Sequence, residues 1–195
     1  MTAIAIRTPY VDPEAGALLA AVSAPRRALL LDRDGVINVN HGYVHAAATT
    51  EWVPGVFELV AQAHRQGLLV VVVTNQAGIG RGYYSEAEFL AYTAWMHAQF
   101  AQRGTPLLAT FWCPHHPGAG VGDYRVACDC RKPKPGMLLA AAARFDLDLH
   151  ASWMVGDKPS DMEAAAAAGV GTRHLVEGGV GLAGVASLIC PGNAP

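Results

Sequence analysis

Apolar residues recur along the chain in two spacings that alternate. Short continuous runs stand at 28–31 ("ALLL"), 68–74 ("LLVVVVT"), 107–112 ("LLATFW"), 152–156 ("SWMVG") and 171–176 ("GTRHLV"). Their β-branched and aromatic content predicts strands, and their unbroken hydrophobicity predicts strands covered on both faces, as in a parallel sheet. Between them the period becomes helical. Val56, Leu59, Val60 and Ala63 recur at i, i+3, i+4 and i+7 after Pro54, and Gly67 ends the pattern. Ser85 with Glu88 has the form of a capping box for a helix bearing Phe89, Tyr92, Met96 and Phe100 on one side. "GMLLAAAARF" and "SDMEAAAAAG" supply two further helices. Strand–helix alternation of this kind predicts a doubly wound, mostly parallel, Rossmann-like α/β sheet with helices on both faces. Residues 1–27 carry Pro9, Pro13 and Pro25 with no strong strand or long helix pattern, and are expected to form an N-terminal extension. The domain is expected to span 28–190, with 191–195 as a tail and the glycine-rich stretch from Gly178 irregular.

Composition narrows the function. With 195 residues, 52% hydrophobic and 15% charged, the chain suits one domain with a substantial core. A net charge of −2 provides no general pull toward nucleic acid or anionic lipid, so anion binding must come from locally placed groups and a small-molecule ligand is expected. No run reaches the roughly 18 apolar residues of a membrane helix, and "ALLAAV" at 17–22 is too short for a secretory signal. A cytoplasmic protein with no membrane partner is expected, monomeric for want of a large unexplained apolar surface.

Polar residues gather where three of the expected strands stop: Asp32 and Asp34, then Thr74 and Asn75, then Asp157 and Lys158. One strand-end aspartate is commonly a turn or helix cap. Three such ends meet at the carboxyl edge of an α/β sheet, where together they could hold a divalent cation and a phosphate. In a reducing compartment, clustered cysteines suggest metal before disulfide. Cys113 and His115, then Cys128 and Cys130, form a Cys₃His set of the kind that binds structural Zn²⁺. Pro114 favours an extended backbone that turns Cys113 and His115 to one side, which selects His115 over His116. Free thiols beside a chance histidine, or a Cys128–Cys130 redox pair, are the alternatives; Cys190 lies outside the pattern.

"DRDGVIN", "VVVTNQAGIGRG", "RKPKPGM" and "MVGDKPSDMEAA" stand in the order of four motifs, and in them the chain resembles the haloacid dehalogenase (HAD) superfamily of phosphohydrolases. "NHGYV" and "CPHHPGAGVGDYRVACDC" are similar to its branch acting on heptose bisphosphates, with histidinol-phosphate phosphatases as the neighbouring branch. The resemblance covers about residues 28–176 and leaves no room for a large cap domain. It implies a sugar bisphosphate substrate, Asp32 as nucleophile and Asp34 as general acid and base. It implies Mg²⁺ on the carboxylates of Asp32 and Asp157 and the backbone carbonyl of Asp34. Thr74 and Asn75 would bind phosphoryl oxygens, Lys132 would neutralise them, and Asp161 would cap, orient or ligate. Lys158 would pair with Asp32 or reach the phosphate, if it is not simply a surface lysine. Arg131 is the main candidate for a second anion site. Arg81, Asn40, His41, Gly42 and Tyr43 are candidates for sugar contacts, although Arg81 between glycines also suits an ordinary turn. Histidinol phosphate, phosphoryl transfer without hydrolysis and a non-catalytic binding module remain alternatives, the last disfavoured because both aspartates are present.

Overall fold

The computed structural model describes residues 7–177 and 181–189. Six strands form one sheet: β1 (Tyr10–Val11), β2 (Arg27–Leu31), β3 (Leu68–Asn75), β4 (Ala109–Cys113), β5 (Trp153–Gly156) and β6 (Thr172–Leu175). Their order is β1-β4-β3-β2-β5-β6, parallel except for β1, which runs antiparallel to β4. Pairs such as Leu30 with Val71 and Leu30 with Met154 put the two neighbours of β2 in register. The chain winds one way from β2 to β3 and β4, then returns to the other side of β2 for β5. That reversal places the ends of β2, β3 and β5 around one crevice.

Side-chain alternation divides the core into two layers. Ala28, Leu30, Val71, Val73, Phe111 and Met154 face α5 (Gly136–Phe145) and α6 (Pro159–Ala168). Leu29, Leu31, Val70, Val72 and Val155 face α2 (Val56–Arg65), α4 (Glu86–Gln102) and α7 (Leu182–Leu188). Both layers are needed because the central strands have no solvated side: every residue from Ala28 to Leu31 has 0% exposure. The alanines of α6 let its backbone approach, with Ala164 and Ala165 packed into the first layer.

The chain departs from expectation at both ends. Residues 10–20, expected in an extension outside the sheet, contribute edge strand β1 and a short helix, α1 (Ala15–Ala20), with Ala15 in the core. The irregular tail expected from Gly178 is instead helical over Leu182–Leu188, where Leu182 and Val185, three apart, pack with α2. These elements are too short for periodicity to expose. A four-residue helix, α3 (Ala77–Gly80), follows β3 for the same reason. Residues 1–6, 178–180 and 190–195, Cys190 among them, lie outside the described residues. No helix among the described residues is long and apolar enough to cross a membrane.

Candidate active site

Asp32 immediately follows β2, and its amide donates to the Val155 carbonyl of β5 at 3.0 Å. Its carboxylate is buried and meets Lys132 Nζ at 2.9 Å. Lys132 is itself 3% exposed and surrounded by acceptors, with Asp161 Oδ1 at 2.7 Å and the Val73 carbonyl at 2.7 Å. Burial raises Asp32 to about 6 against the opposing pull of Lys132. Burial alone would lower Lys132, but Asp32 and Asp161 outweigh it and hold the ammonium above its ordinary value. Desolvation is tolerated here because cation and carboxylates are buried together.

Lys132 comes from a loop, so its placement needs a clamp. Asn75, at the end of β3, provides one: its Nδ2 donates to the Lys132 carbonyl at 3.0 Å, and the Lys132 amide donates to its Oδ1 at 3.1 Å. On the far side of that loop, Cys113, Cys128, Cys130 and His115 converge, all buried. The sulfurs lie 3.1 to 3.5 Å apart, too far for a disulfide at about 2.05 Å. His115 Nδ1 is 3.5 Å from Cys130 and 3.7 Å from Cys113. His116 turns elsewhere, its Nδ1 accepting from the Gly118 and Ala119 amides. The four donors could hold a metal ion, and the loop they pin carries Arg131 and Lys132 toward the end of β3.

Asp157, after β5, has a buried Oδ1 with no hydrogen-bond partner among the described residues; Lys158 Nζ stands 3.5 Å away. Burial pushes Asp157 up, opposed by Lys158. Carboxylate oxygens of Asp32, Asp157 and Asp161 lie within 4.8 Å of one another. An all-oxygen set of this kind with an unsatisfied acceptor fits a hard divalent cation. Gly35 makes the arrangement possible. Its φ is +95°, and a Cβ there would lie 2.2 Å from Asp157 Oδ2. Asp161 Oδ2 accepts from the Lys158 amide at 3.0 Å, so that side chain caps α6 as well as pairing with Lys132.

Asp34 is held by residues that sequence reasoning missed. Arg33 Nη2 reaches both of its oxygens, at 2.9 and 2.8 Å; Asn38 Nδ2 donates to Oδ1 at 3.0 Å and Gln76 Nε2 to Oδ2 at 3.1 Å. Burial would raise Asp34, yet the Arg33 charge and these hydrogen bonds bring it below the usual carboxylate range. Arg33 is fully buried, its guanidinium 5.2 Å from the Tyr92 ring centre and 5.8 Å from that of Phe89. The aromatic face of α4 was visible in the sequence; that it would receive a cation was not.

A cavity of about 300 Å³ opens beside these groups, lined by Asp34, Asn40, Tyr43, Asn75, Gln76 and Lys158 among others. Thr74, next to Asn75 in the chain, is buried and accepts from Gln76 Nε2 at 2.7 Å. Two expected sugar contacts fall outside its lining. His41 pairs with Glu51 at 3.2 Å on an exposed surface, and Arg81 lies over Tyr43 at 5.8 Å from the ring centre. The glycines beside Arg81 have their own reasons. Gly80 allows close approach to the Pro114 carbonyl, 2.4 Å from where its Cβ would sit, and Gly82 has φ +76°. Arg131 donates from Nη1 to the His115 carbonyl at 3.1 Å.

Comparison with known proteins agrees with this geometry. Over 152 residues the chain is 53% identical to D-glycero-beta-D-manno-heptose-1,7-bisphosphate 7-phosphatase of Vibrio cholerae, covering 78% of this chain and 82% of that one. The chain belongs to the heptose-bisphosphate phosphatase family. A family model for HAD-hydrolase-like proteins matches residues 129–187, which places this family in the HAD superfamily. Another family member, the alpha-anomer enzyme of Burkholderia mallei, is 53% identical over 150 residues, covering 77% of this chain and 79% of that one. Overall identity therefore does not separate the anomers. The heptose-bisphosphate phosphatase of B. bronchiseptica, solved with magnesium and phosphate, superposes with a TM-score of 0.69 at 35% identity, covering 87% of this chain and 88% of that one.

Proposed function

We propose that this chain is a Mg²⁺-dependent phosphatase removing the 7-phosphate of D-glycero-D-manno-heptose 1,7-bisphosphate, acting in the cytoplasm as a monomer. The observation that most supports it is the buried Asp32 carboxylate facing Lys132 at 2.9 Å, in a chain 53% identical to a phosphatase named for that substrate. Asp32 attacks phosphorus while Asp34 delivers a proton to the departing sugar oxygen, leaving an aspartyl-phosphate. Asp34 then takes a proton from water, which attacks phosphorus, releases inorganic phosphate and regenerates Asp32. The Arg33 charge and the hydrogen bonds that bring Asp34 below the usual carboxylate range favour the ionised form, which suits that second step.

Mg²⁺ would be held by the carboxylates of Asp32 and Asp157 and the backbone carbonyl of Asp34, and when bound supplies charge neutralisation for the phosphoryl oxygens. Lys132 neutralises oxygens on the other side, placed by the Asn75 clamp and Asp161. Thr74 and Asn75 supply hydrogen bonds to the phosphoryl group. The Cys₃His set would hold structural Zn²⁺, which keeps the Arg131–Lys132 loop in place. Arg131, adjacent to Lys132, is suited to the second phosphate, and Asn40, Tyr43 and Lys158 to the sugar.

The deciding experiment is phosphate release with Mg²⁺ from both anomers of heptose 1,7-bisphosphate and from histidinol phosphate. A kcat/KM at least about a hundredfold higher for one heptose anomer, some 2.7 kcal/mol in transition-state binding, is expected. A preference for histidinol phosphate overturns the substrate and retains the chemistry.

A further inference from the structure

Gln76 joins the two strand ends that face the cavity. Its side chain is 2% exposed; Nε2 donates to Asp34 Oδ2 at 3.1 Å and to Thr74 Oγ1 at 2.7 Å, while Oε1 accepts from the Tyr84 hydroxyl at 2.5 Å. Chemistry dictates the direction of this chain. An ionised carboxylate only accepts, so the NH₂ end of the amide must face Asp34 and its oxygen must face Tyr84. Both amide hydrogens are then committed. Thr74 Oγ1 accepts one of them, which leaves its own hydrogen for another acceptor, such as a phosphoryl oxygen in the cavity lined by the adjacent Asn75 and Gln76.

Tyr84 is built into place. Its ring stacks on His45 at 4.4 Å, and Gly78 leaves the room it occupies: a Cβ at residue 78 would fall 2.3 Å from the ring. Sequence order gave no hint of it, since Tyr84 lies eight residues beyond Gln76 and reaches back across the short α3.

We infer that Tyr84 is a positioning residue: its hydroxyl orients the Gln76 amide, and the amide in turn directs the Thr74 hydroxyl toward phosphate and steadies the Asp34 carboxylate. The inference rests on the phosphatase reading. Without the phenolic hydroxyl the amide has no partner for Oε1 and is held only from its NH₂ end. Thr74 and Asp34 then lose a fixed donor without losing any atom of their own.

Tyr84→Phe keeps the ring and removes only the hydroxyl. In a phosphomonoesterase assay it is expected to lower kcat about five- to tenfold, the scale of one hydrogen bond, with KM within about twofold. Gln76→Ala should lower kcat further, and adding Tyr84→Phe to it should change nothing more, because the hydroxyl acts through the amide. Unchanged kcat in Tyr84→Phe, a loss carried by KM alone, or independent losses in the double variant would overturn the inference. Hydrogen exchange of the Gln76 side-chain amide, followed by NMR and assigned by its absence in Gln76→Ala, reads the same chain without turnover. It should accelerate at least about tenfold in Tyr84→Phe, where the phenolic donor to Gln76 Oε1 is gone; equal rates would refute the positioning role. Accelerated exchange in a protein whose wild type hydrolyses no phosphomonoester would support the hydrogen-bond chain and reject the phosphatase reading instead.

Discussion

Asp32 and Gly35 stand three residues apart and serve the site in different ways, one through its carboxylate and the other through having no side chain. Asp32→Asn leaves a side chain of the same shape beside Lys132, whose charge is still met by Asp161. An amide cannot attack phosphorus, so phosphate release should fall by at least about a thousandfold with the far-UV circular dichroism unchanged. Substantial remaining turnover would remove Asp32 as nucleophile. Gly35→Ala meets two obstacles, a φ of +95° and a Cβ 2.2 Å from Asp157 Oδ2. It should cost about 1–3 kcal/mol of stability in urea unfolding. It should also raise the Mg²⁺ concentration needed for half-maximal activity, because Asp157 is the side chain displaced. Destabilisation without that shift would detach Asp157 from the cation. The gathering of the carboxylates and Asn75 at strand ends and the convergence of the Cys₃His set were legible from position and paired spacing, but the clamp of the Asn75 amide on Lys132 was not. Nor were Arg33, Asn38, Gln76 and Tyr84. Their roles come from being buried against one another, and a buried guanidinium or amide resembles a surface one until its neighbours are known.

Among elements, β2, β3, α2 and α4 were readable because each carries enough apolar positions to display its period, while β1, α1, α3 and α7 do not. The start of α4 is explicit: the Glu88 amide donates to Ser85 Oγ at 3.1 Å, and the Ser85 amide donates to Glu88 Oε2 at 2.7 Å. Ser85→Ala should lower stability by about 1 kcal/mol, measured from the urea midpoint. No change would mean that packing of Phe89 and Tyr92 sets the helix start unaided. The loop carrying the Cys₃His set is an element of another kind, with little apolar packing of its own over the exposed stretch around Val121. Its order should depend on the metal. Removing the metal under reducing conditions should raise KM and expose the 114–131 segment to protease before the sheet unfolds. A verified metal-free Cys₃His set with an intact loop and full activity would defeat that dependence.

For the molecule as a whole, the N-terminal segment is tied down by one buried polar line crossing three elements. Asp12 Oδ2 accepts from His97 Nδ1 of α4 at 2.9 Å, His97 Nε2 meets Thr110 Oγ1 of β4 at 2.9 Å, and the Tyr10 ring packs edge-on at 4.7 Å from the His97 ring. The His97 hydrogen bond, against the opposing effect of burial and with help from the Glu14 amide and the His97 charge, holds Asp12 below its ordinary 3.8. A group whose native pKa is depressed takes up its proton more readily in the unfolded chain. It therefore contributes stability above the unfolded value and loses it as pH falls through the native one. Asp12→Asn should accordingly be less stable than the wild type at pH 7, and the gap should narrow as pH drops below about 3.8. Comparing urea midpoints of the two proteins at each pH cancels what they share, including protonation of other carboxylates and acid release of metal from the cysteines. A gap that stays constant from pH 7 to about pH 3 would mean that Asp12 acts through shape alone, and that the attachment of β1 to β4 does not depend on its charge.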